Sequence, residues 1–321
     1  IELNDNTELQ TVIRASEQNG ATGNGGVILI SATDSISLNN SGIFGTIEQG
    51  ATVSDKLPLN PIIESIYDNL DDDLKNFIAP RSGFILLQAK KIELKKGSSI
   101  NSSTFGLGDA GSIIIDAKGG NFDGLKRDEN SGAVELTNGS VIAAVVVTGG
   151  KGNGGNIEIN SNTLSLKDGS QVGTLVSRTF QEKPGGIGNA GNININATNS
   201  VTLSGISPQG FSSGLLTLSE RGASGNAGNV DVKTGDFKVE NGAIVTAATF
   251  NDGGDAKKIT IKANNVELTN GGQIITNTRS SRNAGDIKLD VANNITISGS
   301  ESNYDARVRL VEQDIQNTGS S

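Results

Sequence analysis

The chain has 321 residues, including 43 glycines, no Cys, Met, His or Trp, and only 3% aromatic residues. The absence of cysteine excludes a disulfide scaffold and thiolate metal sites, and the absence of histidine removes the usual general base and the commonest transition-metal ligand. A net charge of −9 disfavours binding to nucleic acid or to an anionic membrane surface. No apolar run reaches the roughly 20 residues that a membrane-spanning helix needs.

A short repeated motif runs along the chain, beginning with its first residues. The opening tripeptide 1–3 resembles residues 266–268, which lie inside a later repeat, so we expect the chain to be part of a longer protein. Each repeat is a glycine-rich corner followed by a short apolar-polar-apolar strand, and the clearest copy spans residues 188–195. Other copies begin at Gly26, Gly83, Gly111, Gly152, Gly225, Lys257 and Gly285.

The spacing of the repeats indicates the architecture. Gly83 and Gly111, like Lys257 and Gly285, lie about 28 residues apart, which suits a coil of three short strands and three corners at about 3.3 Å per residue. Longer intervals fit the same unit with extra loop residues. The apolar residues do not recur every three or four positions, so a helical repeat is disfavoured.

Alternation of apolar and polar residues identifies the side chains that point into each coil. Strand one contributes pairs such as Ile193 and Ile195, and strand two contributes pairs such as Val201 and Leu203. Strand three pairs a large residue with a small one, which predicts a narrow corner of the cross-section. The turns before strand three contain Gly97, Gly139, Gly169, Gly242 and Gly271.

These coils predict an all-β fold, a single parallel β-helix domain over residues 1–321 with about eight three-stranded coils. Like positions stack about 4.8 Å apart and so form aliphatic columns through the core. Asn153, Asn189 and Asn226 recur at one corner. They are expected either to stack as an amide ladder that satisfies corner backbone groups or simply to favour the turn.

Residues 50–81 interrupt the repeats. After Pro61, apolar residues recur at three- and four-residue spacing, which predicts an inserted amphipathic helix. The outward residue of strand one is polar in most later coils but aliphatic in the first three, at Leu29, Leu86 and Ile114. We therefore expect the helix to dock on these residues; the alternative is a helix that binds a partner.

The same insertion contains a cluster of carboxylates, of the kind that calcium prefers as ligands. An acidic run beside a helix is more often a solvated face, so no metal site is assigned and no cofactor is expected. The glycine-rich signature of calcium β-rolls is also missing. The weak candidate ligands are Asp68, Asp71, Asp72 and Asp73.

Three long corner loops, residues 118–132, 177–188 and 205–213, are candidate recognition elements, because binding residues tend to lie on loops of a rigid scaffold. Each loop contains a phenylalanine that either contacts a glycan or a protein partner or packs back against the rod. These residues are Phe122, Phe180 and Phe211.

A polysaccharide-active enzyme would need two or more converging carboxylates. Glu93 and Glu135 fall on adjacent coils, in the outward row of strand two. Surface glutamates of this kind are more often solvated, so no catalytic residue is assigned. The same row mixes Ser, Glu, Thr and Lys, which argues against an ice-binding array of threonines.

The phrases at residues 188–205 and 283–300 resemble the repeats of filamentous haemagglutinin-type exoproteins, the large secreted members of two-partner secretion systems. The resemblance covers nearly the whole chain, although the family's amino-terminal secretion domain is not visible. It implies a right-handed parallel β-helix that is exported through an outer-membrane transporter. It also implies display or release at the outer surface of a Gram-negative-type bacterium.

The leading expectation is therefore a non-enzymatic structural or adhesive protein, an extracellular or cell-surface rod or fibre component. Its expected partners are copies of itself stacked end to end, because a solenoid exposes unpaired strand edges, or neighbouring surface proteins, or glycans. Neither nucleic-acid binding nor membrane insertion is expected. The alternative is a polysaccharide-binding or polysaccharide-degrading β-helix.

Overall fold

The computed structural model describes residues 1–15, 20–54, 56–58, 61, 64–65, 75, 82–118, 132–250, 254–279 and 281–300. Over these residues the protein is a parallel β-helix, as the repeats predict, with a 12-stranded sheet A, an 8-stranded sheet B and a 2-stranded sheet C. Sheet A contains β1 (Glu2–Asn4), β4 (Val27–Ser31), β5 (Ser35–Asn39), β8 (Phe84–Gln88), β9 (Lys91–Lys95), β11 (Ser112–Asp116), β12 (Ala133–Leu136), β14 (Ile157–Lys167), β16 (Ile193–Ser204), β18 (Val230–Glu240), β20 (Ile259–Thr269) and β22 (Ile287–Ser298). Sheet B contains β2 (Glu8–Ile13), β6 (Gly42–Ile47), β10 (Ser99–Thr104), β13 (Val141–Val146), β15 (Gln171–Val176), β17 (Gly214–Ser219), β19 (Ile244–Thr249) and β21 (Gln273–Thr278). Sheet C pairs β3 (Thr22–Gly23) with β7 (Thr52–Val53).

Each coil runs along sheet A and then along sheet B. Strands one and two of the predicted coil lie in sheet A, and strand three lies in sheet B. In the first coils strands one and two are separate, but from β14 onward they form one continuous strand of 11 or 12 residues. Backbone pairing continues through the bend because the connection is short, and a register shift between Ser161 and Thr163 absorbs the change of direction.

The core lies between the two sheets and runs along the axis. Inward side chains from successive coils stack in columns, and one continuous buried cluster extends from Leu3 to Val266. Burial of such aliphatic side chains contributes roughly 1.5–3 kcal/mol each. The predicted alternation is confirmed: Ile193, Val201 and Leu203 are all fully buried.

The small residue of strand three faces the narrow side of the coil, as predicted. There the Thr174 Oγ1 donates a hydrogen bond to the carbonyl oxygen of Gly191 at 2.5 Å. Thr217 makes the same bond to Gly228 at 2.7 Å, one coil further along. A larger side chain at this position would not fit between strand three and the glycine corner.

The turns between strands two and three are built from a residue pair in the left-handed region. Asn138 and Gly139 have φ values of 56° and 71°, and Asn241 and Gly242 have 53° and 76°. Two successive positive φ angles define a tight turn that favours Asn-Gly and Asp-Gly. The predicted turn glycines are therefore confirmed as conformational requirements.

The predicted asparagine ladder is also present. The backbone N–H of Asn189 donates to Asn153 Oδ1 at 3.1 Å, and that of Asn226 donates to Asn189 Oδ1 at 2.9 Å. Carboxylates extend the ladder at both ends. Asp109 Oδ1 accepts from the backbone N–H of Asn153 at 2.6 Å. At the other end the backbone N–H of Asp255 donates to Asn226 Oδ1 at 2.8 Å, and Asp255 Oδ1 accepts from the backbone N–H of Asn283 at 3.2 Å. The ladder satisfies corner backbone groups from coil to coil.

Most of the segment predicted to form the inserted helix lies outside the described residues; of those described, Pro61, Glu64, Ser65 and Lys75 are helical. Docking on the first three coils stays a prediction. Within the described chain, no helix is long and apolar enough to cross a membrane. The residues expected to form the dock differ in exposure. Leu86 and Ile114 are buried, with 0% and 1% of their surface exposed, whereas Leu29 is 46% exposed.

Candidate functional site on the outward faces

The carboxylate pair proposed from the sequence lies on the outward side of sheet A. Glu93 and Glu135 are direct partners in the register of β9 and β12. Glu93 Oε1 accepts hydrogen bonds from Lys91 Nζ at 2.7 Å and from Lys95 Nζ at 3.0 Å. Lys167 Nζ lies 3.7 Å from Glu135 Oε1. The pair is therefore embedded in a cluster of lysines.

These contacts determine the ionisation of Glu93. Partial burial raises its pKa, but the hydrogen bonds from Lys91 and Lys95 outweigh burial, so its pKa lies below the usual range. The same hydrogen bond raises the pKa of Lys91, because it stabilises the charged ammonium group. A glycosidase general acid needs a raised pKa so that it is protonated when it acts. Glu93 has the opposite shift.

The described residues contain no second acidic cluster that suggests a site. Among the described residues, no group of three or more carboxylates, histidines or cysteines could hold a metal ion. The weak calcium candidates, Asp68 and residues 71–73, lie outside the described part of the chain.

The three loop phenylalanines belong to different corners of the coil. Phe180, which is 55% exposed, lies between strand three and the next strand one. Phe211, which is 63% exposed, lies in the loop that replaces the tight turn between strands two and three. Phe122 is outside the described residues, and its segment connects strand one to strand two, from β11 to β12. The fold therefore places Phe180 and Phe211 at different corners, and the position of Phe122 stays a prediction.

A different surface stands out on sheet B, which we call the uncharged face. It consists of the side chains that point away from the core on the eight strands, at alternate positions of the register. Glu8, on β2, is the only charged residue among these outward positions. From β6 to β21 they are Gly42, Phe44, Thr46, Ser99, Asn101, Ser103, Val141, Ala143, Val145, Gln171, Gly173, Leu175, Gly214, Leu216, Leu218, Ile244, Thr246, Ala248, Gln273, Ile275 and Asn277.

The uncharged face was not predicted from the sequence, because only the inward pair of each strand three was interpreted. The signal was available, since the intervening residues of β13 and β17 are aliphatic at most positions. Most outward residues of β13, β15 and β17 are half-buried, as expected on a flat sheet where each side chain is flanked by its neighbours in the same column. Thr246 and Ala248 are buried, with 7% and 1% of their surface exposed, because each is a small residue between longer neighbours.

The corner beside strand one has a shallow groove lined by amide side chains. Its lining includes Asn153 and Asn189 of the ladder. It also includes Asn156 and Asn192, where Asn156 Oδ1 accepts a hydrogen bond from the backbone N–H of Asn192 at 2.8 Å. The groove follows the axis of the rod and presents hydrogen-bonding groups at the spacing of the coils.

Comparisons with protein-family models, curated proteins and solved structures find no match for this chain. The class that the coordinates define is the parallel β-helix.

Proposed function

We propose that the protein is a non-enzymatic structural or adhesive component of a secreted or cell-surface rod in a Gram-negative-type bacterium. The observation that supports this role is the continuous in-register stacking of coils, reinforced by side-chain ladders outside the core as well as within it. Because each coil is fixed to the next by a full set of backbone hydrogen bonds, the rod is stiff along its axis. Stiffness is what a stalk or fibre requires.

The chemistry of the surface supports the same proposal. The candidate acid Glu93 is held ionised by Lys91 and Lys95 at 2.7 and 3.0 Å, so the outward row of strand two carries an ion-pair cluster. Stacking of like positions spreads polar groups evenly along the rod. We therefore expect binding by extended surfaces and not turnover at a single point.

End-to-end association with another copy or a neighbouring surface protein is part of the proposal. Ile295 and Ile297 of β22 are paired in register with the core residues Val266 and Leu268 of β20. They are nevertheless 51% and 71% exposed. A further coil, whether from the same polypeptide or from a neighbour, would bury them.

Binding of a polysaccharide is the second candidate, and the amide groove favours it. Asn153 and Asn189 are held in fixed orientations by their ladder bonds, and pre-oriented amides reduce the entropy that binding costs. A glycan lying along this corner would meet a similar set of groups at each coil.

A panel of glycans and matrix proteins tests both candidates, with bound fraction and released products measured in the same wells. We expect retention of at least one component without release of reducing sugars or unsaturated products. Turnover of any glycan would contradict the non-enzymatic role. Binding that is reduced in Asn189→Ala but not in Asn199→Ala, an exposed asparagine away from the groove, would assign recognition to the amide ladder.

A further inference from the structure

The uncharged face of sheet B has the size and chemistry of a protein–protein interface. Its six-residue strands span about 20 Å at roughly 3.3 Å per residue, and eight strands at about 4.8 Å span roughly 38 Å. The face therefore covers about 750 Å², close to the roughly 800 Å² that each partner contributes to a standard interface. Its centre, on β13, β15 and β17, is mainly aliphatic and half-buried, and contiguous surfaces with aliphatic side chains mark interaction sites.

Charge indicates which partner fits this face. Each copy of the chain carries a net charge of −9, so two copies repel one another wherever carboxylates meet. The uncharged face lacks charge from β6 to β21. A second copy can approach there without placing like charges opposite each other.

One glycine on this face has no role within the fold. Gly173 lies in the middle of β15 without a positive φ angle, and a Cβ atom added to it would make only ordinary contacts, 3.4 Å from the carbonyl oxygen of Leu216 and 3.9 Å from its Cβ. Gly214 differs, because a Cβ there would overlap the carbonyl oxygen of Ile244. A glycine inside a strand weakens the strand and often marks the close approach of another chain.

The relief of the face is self-complementary around Gly173. Ala143 and Gly173 are neighbours in one column and form a depression, and Leu216 stands next to them in the same column as a ridge. A two-fold axis that lies in the plane of the interface, parallel to the strands and passing between depression and ridge, would place each ridge in the opposite depression. Such an arrangement gives an isologous interface, the commonest kind in homodimers.

We propose that two copies of this chain pair face to face through the uncharged face of sheet B, with Leu216 of each copy seated against Ala143 and Gly173 of the other. This lateral pairing goes beyond the proposed structural role and does not depend on end-to-end stacking. It would double the rod and bury the mainly aliphatic outward residues of β13, β15 and β17.

Sedimentation equilibrium of the full chain over a wide concentration range tests the pairing. We expect a wild-type dimer with a micromolar or tighter dissociation constant. Gly173→Val should weaken it by at least about tenfold, because the added isopropyl group fills the depression. The melting temperature of the variant measured at low concentration should be unchanged or higher, since valine favours strands. Thr202→Val, which introduces valine on the outward side of sheet A, is the control and should leave association unchanged.

Leu216→Glu gives an independent test if Gly173→Val folds poorly, because the charge would sit at the centre of the interface while remaining tolerable on a solvated monomer. A variant that folds by circular dichroism should be monomeric. The proposal is overturned by a wild-type protein that stays monomeric at the highest concentration. It is equally overturned if Gly173→Val and Leu216→Glu both show the same increase in apparent mass with concentration as the wild type, since lateral pairing would then contribute nothing to association.

Discussion

The outward faces of the two sheets differ sharply although their inward faces are alike. Along strand two of sheet A the outward row contains ion pairs, such as Lys238 with Glu267 at 2.9 Å and Lys91 with Glu93 at 2.7 Å. Along sheet B, the outward row from β6 to β21 has no charge. Inside, both sheets contribute aliphatic columns to the same core cluster.

This difference shows that the fold constrains the inward residues of each strand but not the outward ones. Coil stacking fixes the inward residues, because every gap in a column is a cavity. It does not fix the outward residues, since sheet A shows that charged side chains stack well on this scaffold. The absence of charge from β6 to β21 is therefore a property of this surface and not a condition of folding.

The inward and outward sides of one strand should differ most in their effect on stability. Leu215 and Leu216 are neighbours on β17, and Leu215 is fully buried whereas Leu216 is half-buried on the uncharged face. We expect Leu215→Ala to lower the free energy of unfolding by about 2–5 kcal/mol, and Leu216→Ala to lower it by less than about 1 kcal/mol. Urea unfolding at a concentration where the chain is monomeric measures both. Equal losses would mean that the outward side is packed within the monomer.

Substitutions of two glycines should also differ in their effect on stability, by less than the two leucine substitutions do. A Cβ on Gly191 would overlap the carbonyl oxygen of Gly155 in the preceding coil, whereas one on Gly173 meets nothing closer than 3.4 Å. Gly191→Ala should therefore cost about 1–3 kcal/mol, and Gly173→Ala should be neutral or stabilising by about 0.5 kcal/mol. Thermal unfolding of the two monomeric variants compares them directly. A stabilised Gly191→Ala would show that the coils are less closely spaced.

The asparagine ladder should contribute about 1 kcal/mol at each rung, as other hydrogen bonds do. Asn189→Ala removes the acceptor of the Asn226 backbone N–H, which is bonded at 2.9 Å. The control is Asn199→Ala, at an exposed position where the described residues include no side-chain partner. Faster amide exchange at Asn226 alone in the ladder variant would locate the effect. An unchanged exchange rate at Asn226 would contradict a stabilising contribution from this hydrogen bond.

The ion pairs of sheet A should have the smallest effect. Because the pKa of Glu93 is lowered in the folded state, its stabilising contribution is complete at neutral pH and is lost as the pH falls through that lowered value, below the ordinary value of 4.5. Glu93→Gln should cost less than about 1 kcal/mol at pH 7, and the difference from wild type should vanish in acid. Glu135→Gln is the control, since its lysine lies further away at 3.7 Å. A difference that grows in acid would contradict the assignment.

Much of the fold could be predicted from the sequence, because a β-helix repeats its inward residues at fixed positions. Ile193, Val201 and Leu203 were assigned to the core by alternation alone, and all three are fully buried. The joining of strands one and two was not predicted. The polar connection around residues 196–200 reads as a turn, and only the pairing of β16 with its neighbours shows that the strand continues.

The surfaces were less predictable, for a physical reason. Lys91 and Lys95 flank Glu93 at alternate positions, so their ion pairs were readable from the sequence. The meaning of Gly173 was not, because a glycine in a strand is informative only when its surroundings show room for a side chain. Register between coils separated by loops of unequal length also had to be known before the uncharged face could be assembled.

The absence of cysteine allows a direct comparison of the two faces by thiol labelling. Ala143→Cys places a single thiol on the uncharged face, and Thr202→Cys places one at an equally half-buried position on the outward side of sheet A. As protein concentration rises, we expect labelling of the first thiol to slow at least tenfold while labelling of the second stays constant. Equal rates for both thiols at every concentration, or protection of sheet A instead, would contradict pairing through sheet B.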